Sequence, residues 1–339
     1  MTAVRFHGRG DIRVDQLEEP RCGKDLHEYT SGPVLVPKTE HPITGETSPI
    51  TMGHEFSGTI EEVGEDVKHL VPGQRAVVRP TIFDEKCAAC KQGCRHCCKN
   101  IGFIGLSGYG GGMSHHIVAP AEHYYPLPDN VSLQTAALIE PLAVAWHAVK
   151  ISPFKVNDSV LVLGAGPIGI AVIQILKLQG AKRIVVVELM DNRKKLAEHY
   201  GADNIFDPRE LDVPEEVFKV TENKGVDVIF DTAGVEIALN GVIPACRVHG
   251  TIVNIAVWEN KPAVNVNDLT YKEVNYMGAA LYDEMSFKEV IQALNNGQLR
   301  PEKMITAKIK LGDAIDKGFQ ELIDHRDRHC KILIDAQTS

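Results

Sequence analysis

The stretch VLVLGAGPIG, residues 160–169, constrains this chain more than any other. A short apolar run ends at Gly164, and Gly164, Gly166 and Gly169 then follow as G-x-G-x-x-G before a second apolar run, Ile168 to Leu178. That spacing suits a strand turning sharply into a helix. The first glycine permits the turn, the second lets an anion approach the backbone, and the third lets helix and strand touch. The helix that opens at Pro167 and Ile168 presents, beyond the proline, unpaired N–H groups and the positive end of its dipole to a pyrophosphate. Glu188 stands 19 residues after Gly169, at the end of the next apolar run, Arg183 to Val187. A carboxylate there binds ribose hydroxyls and repels a 2′-phosphate. NAD is therefore expected over NADP, with Arg193 at the same site and, beside Lys194, working against the preference.

The texture around this motif sets the organisation. Between 143 and 281, β-rich runs (160–163, 183–187, 226–230, 251–255) alternate with helical intervals such as 192–200, the pattern of a doubly wound parallel sheet. Residues 1–142 show short β-like runs (3–6, 59–63, 75–78, 116–119) broken by Gly, Pro and Asn, then a helical stretch over 132–150 in which Pro141 marks a kink or a fresh start. From 282 to 339 the pattern loosens into helices over 285–295 and 313–323 and a closing strand over 331–334. The glycines from Gly108 to Gly112 do not lie between a strand and a helix and read as a flexible turn. The adjacent His115 and His116, on an expected strand, would point to opposite faces.

At 339 residues, about two domains are expected. Acidic residues outnumber basic ones 45 to 36, a net charge of −9, which argues against a phosphate-backbone or membrane-surface partner. The longest uncharged stretch, 159–176, holds 18 residues but is interrupted by Gly164, Gly166, Pro167 and Gly169, so no membrane span is expected. No apolar leader follows the first residues, and a cytoplasmic location is expected.

Five of the eight cysteines, Cys87, Cys90, Cys94, Cys97 and Cys98, fall within twelve residues. Such crowding favours metal over disulfides. Four thiolates, or three with a carboxylate, suit a closed tetrahedral zinc. Asp84, Cys87, Cys90 and Cys98 form one such set, with Cys94 and Cys97 open as alternative last ligands. A second, scattered set is Cys22, His54 and Glu55 in GHEF, and Glu140 in IEPL. Each alone is unremarkable; together they would offer the mixed N, O and S donors of an open, catalytic zinc.

The stretches CGKDLHEY, HPITGETSPITMGHEFSG, GFIGLSGYGGGMS and LIEPLAVAWHAV resemble the zinc-dependent medium-chain dehydrogenase/reductase family, most closely its butanediol and sorbitol dehydrogenase branch. The resemblance covers nearly the whole chain. It implies a β-rich GroES-like catalytic domain, 1–142 completed by 282–339, around a Rossmann domain at 143–281. It implies one catalytic zinc on Cys22, His54, Glu55 and Glu140, and one structural zinc on Asp84, Cys87, Cys90 and Cys98. Asp25 falls on a carboxylate position behind the metal, His27 on a proton-relay position, and the chain is expected to form a homodimer or homotetramer. The implied reaction moves a hydride between NAD and a secondary alcohol or vicinal diol, with butanediol and acetoin as the favoured pair.

Two departures stand against that pattern. Lys24 occupies the place of a hydroxyl relay, and an ammonium has donors but no acceptor. Between Glu18–Pro20 and Cys22 roughly twenty family residues, N-terminal strands of the catalytic barrel, are absent. Cys22 is then either the ligand cysteine or a relic of one further upstream. The competing reading is a catalytically impaired NAD-binding homologue with a sensing or structural role.

Overall fold

The computed structural model describes residues 2–8, 11–16, 28, 32–33 and 35–337, the first two stretches as backbone together with the Arg5 side chain. Its contacts divide the chain into two units, Met1–Glu140 with Ile305–Ser339, and Pro141–Met304. The second unit thus runs on to Met304, where the loosening of the sequence pattern had suggested a boundary near 282.

The second unit holds a six-stranded, all-parallel sheet. Numbered along the chain, its strands lie in the order 3-2-1-4-5-6: Asn204–Phe206, Arg183–Val187, Ser159–Leu163, Val226–Asp231, Cys246–Asn254, Asn275–Gly278. Runs such as VLVL and IVVV are buried on both faces, the signature of a parallel sheet covered by helices. Leu161, Val185, Ile229 and Ile252 join Val217, Leu239 and Ile243 in one core. Each such side chain stabilises the fold by about 1.5–3 kcal/mol through burial. The order reverses beside Ser159–Leu163, and in open sheets of this kind ligands settle beyond the strand ends at that reversal. The helix entering there, Pro167–Leu178, carries Pro167 in its first turn, where a missing N–H costs nothing. Helix Asp191–Tyr200 stops at Gly201, whose φ of 108° a side chain would resist.

The first unit is built of short antiparallel pieces. Thr2–Gly8 pairs with Asp11–Gln16 and, through Phe6 opposite Ile50, with Ile50–Thr51. Arg75–Val78 lies between Ser57–Thr59 and Tyr124–Pro126, and Thr81–Ile82 pairs with Gly102–Phe103. Ile305–Lys310 and Lys331–Asp335 form a separate parallel pair. Leu311, Ala314 and Phe319 pack on Val36, Ile50 and Met52, so the returning segment supports the chain that leads to His54.

Several local expectations change. The strand expected over 59–63 is Ser57–Thr59, and 116–119 is not a strand; His116 instead pairs with Glu61 at 2.8 Å. The helix expected over 313–323 is a succession of 3-10, π and α turns from Leu311 to Asp324. The turn Gly108–Gly112 is packed rather than loose. Gly112 N–H donates to Gly53 O at 2.8 Å and Met113 N–H to Met52 O at 2.7 Å. A Cβ at Gly105 would stand 2.2 Å from Gly53 O, so this glycine-rich segment is what lets the backbone around His54 close up.

Two buried histidines link this unit to pH. His123 Nδ1 donates to Arg79 O at 2.9 Å, and burial lowers its pKa; His41 is lowered by burial too. The unfolded chain protonates these rings near pH 6.5. Below that pH the unfolded state takes up protons that the folded state refuses, so stability falls toward the lowered folded values. Thermal melts should therefore show a lower midpoint at pH 5.5 than at 7.5, with a shallower dependence in His123→Asn. A midpoint that rises on acidification would contradict this.

Candidate active site and metal centres

Gly164 closes the strand Ser159–Leu163 with φ 88°, and its N–H donates to Val187 O at 2.9 Å. A Cβ on Gly169 would meet Gly164 O at 2.1 Å, so only glycine lets the helix sit this close; at Gly166 a Cβ would face open space. The turn is tied on both sides. Thr232 Oγ1 donates to Leu163 O and Gly164 O at 2.9 and 3.1 Å. Glu188 Oε2 accepts from Ala165 N–H at 2.8 Å, and Oε1 from Leu189 and Met190 N–H at 2.7 and 2.9 Å. Two carboxylate oxygens have about four acceptor positions, so these three bonds fix Glu188 and leave one for a ligand hydroxyl.

Of the two basic residues that work against the NAD preference, Lys194 is paired. Lys194 Nζ lies 2.7 Å from Asp207 Oδ2, and Arg209 Nη2 lies 2.6 Å from the same atom. The Arg209 and Lys194 cations hold the Asp207 carboxyl well below the usual range. Asp207 is a residue the sequence reading missed; no motif flags it, because its partners are gathered by the sheet. Behind the turn, the fully buried Asp231 accepts from Ala233 and Gly234 N–H at 3.0 and 3.1 Å, and burial pushes its carboxyl up.

In the first unit, donor atoms of Asp84, Cys87, Cys90 and Cys98 all lie within 4.8 Å of one another. The turn into helix Ala88–Lys91 begins at Cys87 and swings Cys90 inward. Asp84 Oδ1 accepts from Lys86 and Cys87 N–H at 2.8 and 2.9 Å, and Oδ2 from Asn100 Nδ2 at 2.8 Å. The Cys87 and Lys86 N–H groups keep Asp84 ionised to very low pH. The N–H groups of Cys90 and Lys99 pull the Cys87 thiol down, while burial and the neighbouring thiols push Cys90 up to about 12. A divalent cation at the centre reverses that pressure, because a coordinated thiol is deprotonated. Three sulfurs and one oxygen at these separations fit a closed zinc. Cys94 and Cys97 are exposed and outside the cluster.

Donor atoms of His54, Glu55 and Glu140 form a second group, again within 4.8 Å. Glu140 is buried in the first turn of helix Ile139–Ile151, so Pro141 marks a fresh start. The Phe103 ring meets His54 edge-on at 5.9 Å. Lys331, on the last strand, pairs with Glu55 Oε2, offsetting the charge of two carboxylates drawn together. Lys331 too was missed, since nothing in its surroundings marks it. One imidazole nitrogen and two carboxylates fit zinc with room for a further ligand. Cys22, Lys24, Asp25 and His27 lie outside the described residues.

An alcohol dehydrogenase GroES-like domain signature matches residues 8–129, and a zinc-binding dehydrogenase signature matches 167–296. The (R,R)-butanediol dehydrogenase of Neisseria gonorrhoeae is 38% identical over 352 residues, covering 98% of this chain and 99% of that one. The chain belongs to the zinc-binding alcohol dehydrogenase family. The crystal structure of the Bacillus subtilis 2R,3R-butanediol dehydrogenase superposes with a TM-score of 0.90 at 38% identity, covering 98% and 99% of the two chains. A Saccharomyces cerevisiae D-xylulose reductase, 30% identical over 319 residues, covers 93% of this chain and 87% of its own. The fold expected from the resemblance, a GroES-like domain with a Rossmann domain, is the family's own. The Neisseria alignment runs over 352 positions against 98% of a 339-residue chain, so roughly 20 aligned positions have no counterpart here.

Proposed function

We propose that this dehydrogenase moves a hydride between NAD and a secondary alcohol or vicinal diol, with 2,3-butanediol and acetoin as its pair. The convergence of His54, Glu55 and Glu140 carries the reading. Relatives named for butanediol, matching nearly end to end, favour the diol. Zinc, when bound, acts as a Lewis acid that stabilises developing negative charge on the substrate oxygen. His54, Glu55 and Glu140, with Cys22, hold it; Glu140 does so from a buried helix end and Lys331 steadies Glu55. Gly164, Gly166, Pro167, Ile168 and Gly169 seat the pyrophosphate, Glu188 the ribose, and Arg193 borders that site. His27 carries the proton outward, and Asp84, Cys87, Cys90 and Cys98 hold a structural zinc. The impaired alternative draws no support from the described residues. Zinc content per chain, measured beside NAD-linked turnover on a panel of diols and polyols, tests the reading. Two zincs and fastest turnover on 2,3-butanediol are expected; fastest turnover on a polyol would move the assignment toward sorbitol or xylitol.

Cofactor choice follows from Glu188. NAD should bind more tightly than NADP, and Glu188→Ser should narrow the gap roughly tenfold, the scale of one charge-assisted bond. Equal affinities in the unaltered protein would remove Glu188 from this role.

We also place the protein in the cytoplasm as a homodimer or homotetramer. Cys87, Cys90, Cys94, Cys97, Cys98 and Cys246 are free thiols, which suits a reducing compartment. Strand Asn275–Gly278 ends its sheet with one neighbour and a half-exposed Tyr276, an edge that a second copy can extend. No helix among the described residues is long and apolar enough to cross a membrane. The mass in solution tests the oligomer.

A further inference from the structure

Two of the five clustered thiols have no place in either donor set. Cys94 and Cys97 are exposed and free, whereas Cys90 and Cys98 are buried and converge with Asp84 and Cys87. The sequence Cys94-Arg95-His96-Cys97 forms one 3-10 turn over Arg95–Cys97, closed by Cys97 N–H donating to Cys94 O at 3.0 Å. A turn closed between residues i and i+3 holds its end Cα atoms within about 7 Å, and disulfides span about 4.4–6.8 Å. The turn is braced on both sides. Cys94 N–H donates to Ala89 O and Cys98 N–H to Arg95 O, each at 2.9 Å. Arg95 pairs with Glu85 at 2.7 Å and lies over the Phe83 ring at 5.2 Å. Two accessible thiols thus stand at the two ends of one closed turn, on a loop whose other three thiols converge in the donor group.

We propose that Cys94 and Cys97 form a reversible redox pair, closing to a disulfide on the outside of the metal-binding lobe without drawing on its four inner donors. The oxidant class is a low-molecular-weight disulfide such as glutathione disulfide. One protein thiolate attacks a glutathione sulfur, the glutathione S–S bond breaks, one glutathione thiolate leaves and a mixed disulfide forms. The second protein thiolate attacks the protein sulfur of that mixed disulfide and expels the second glutathione. Two protein thiols thereby lose two electrons and two protons, and one glutathione disulfide becomes two thiols. The new ring lies within the chain joining Cys90 to Cys98. It restricts that segment, so the oxidised lobe should release its metal to a chelator more slowly than the reduced one.

The test uses the full, zinc-loaded protein equilibrated in glutathione redox buffers, quenched with an alkylating agent, then read by intact mass, peptide mapping and zinc content. The expected product carries two fewer alkyl groups than the reduced protein, maps to a Cys94–Cys97 link, keeps all its zinc and reverts with reduced glutathione. Cys94→Ser should instead stop at one glutathione adduct on Cys97, and Cys97→Ser at one on Cys94. Because both positions are exposed, these variants retain the fold, and their zinc content verifies it. Persistently free thiols, two separate adducts in the unaltered chain, or a link to Cys87, Cys90 or Cys98 with loss of zinc would each overturn the proposal.

Discussion

His54→Ala should abolish NAD-linked alcohol oxidation while leaving NADH binding nearly unchanged. His54, Glu55 and Glu140 converge inside the first unit, whereas the Gly164–Gly169 turn and Glu188 belong to the second. Removing the only imidazole from the described donor set should release the metal whose Lewis acidity supplies several kcal/mol at the transition state. A loss of about 4 kcal/mol is ~10³-fold in turnover. Steady-state rates beside NADH titration separate the two effects. Full turnover in this variant would show that His54 holds no catalytic metal; lost NADH affinity would show that the two functions are not separable as drawn.

Cys90→Ser should remove one zinc per chain and lower the first unit's melting midpoint by on the order of 10 °C. Structural zinc contributes its binding energy directly to folding, and about 3 kcal/mol shifts a unit of this size by 2–4 °C per kcal/mol. Cys90 is one of the two buried members of the four-donor group, and a serine there leaves a poor zinc ligand. NAD affinity should hold, because the sheet carrying Glu188 lies in the other unit. An unaltered metal count would refute the assignment of this cluster.

The parts of the fold legible in the sequence are those with local causes. Buried runs such as Val160–Leu163 and Ile184–Val187 are apolar throughout, and Pro167 and Gly201 mark helix ends by backbone geometry alone. Strand order, by contrast, is set by contacts between distant segments. Short runs misled where neighbours decide: Thr59–Val63 carries the β-branched residues of a strand, yet only Ser57–Thr59 pairs as one, opposite Arg75–Val77. The Gly108–Gly112 segment looked loose because its glycines answer to Met52, Gly53 and Phe56, which no local pattern names.

The same division runs through the site. The convergence of Asp84, Cys87, Cys90 and Cys98 was readable because metal-type donors on one loop keep a spacing, although only the fold separates Cys98 from Cys94 and Cys97. His54, Glu55 and Glu140 were found by resemblance, since ligands contributed by separate segments have no period. Lys331 on Glu55, and Asp207 on Lys194 and Arg209, had no such guide and emerge only in three dimensions.

The central claim is zinc-dependent hydride transfer from a vicinal diol to NAD. The most direct measurement follows deuterium from 2,3-butanediol labelled at its carbinol carbons, using zinc-loaded protein, chelated protein and chelated protein given zinc back. The account predicts that the label appears in NADH with the loaded and restored protein and not with the chelated one. Unlabelled NADH, or labelled NADH formed at full rate after both zincs are removed, would contradict it.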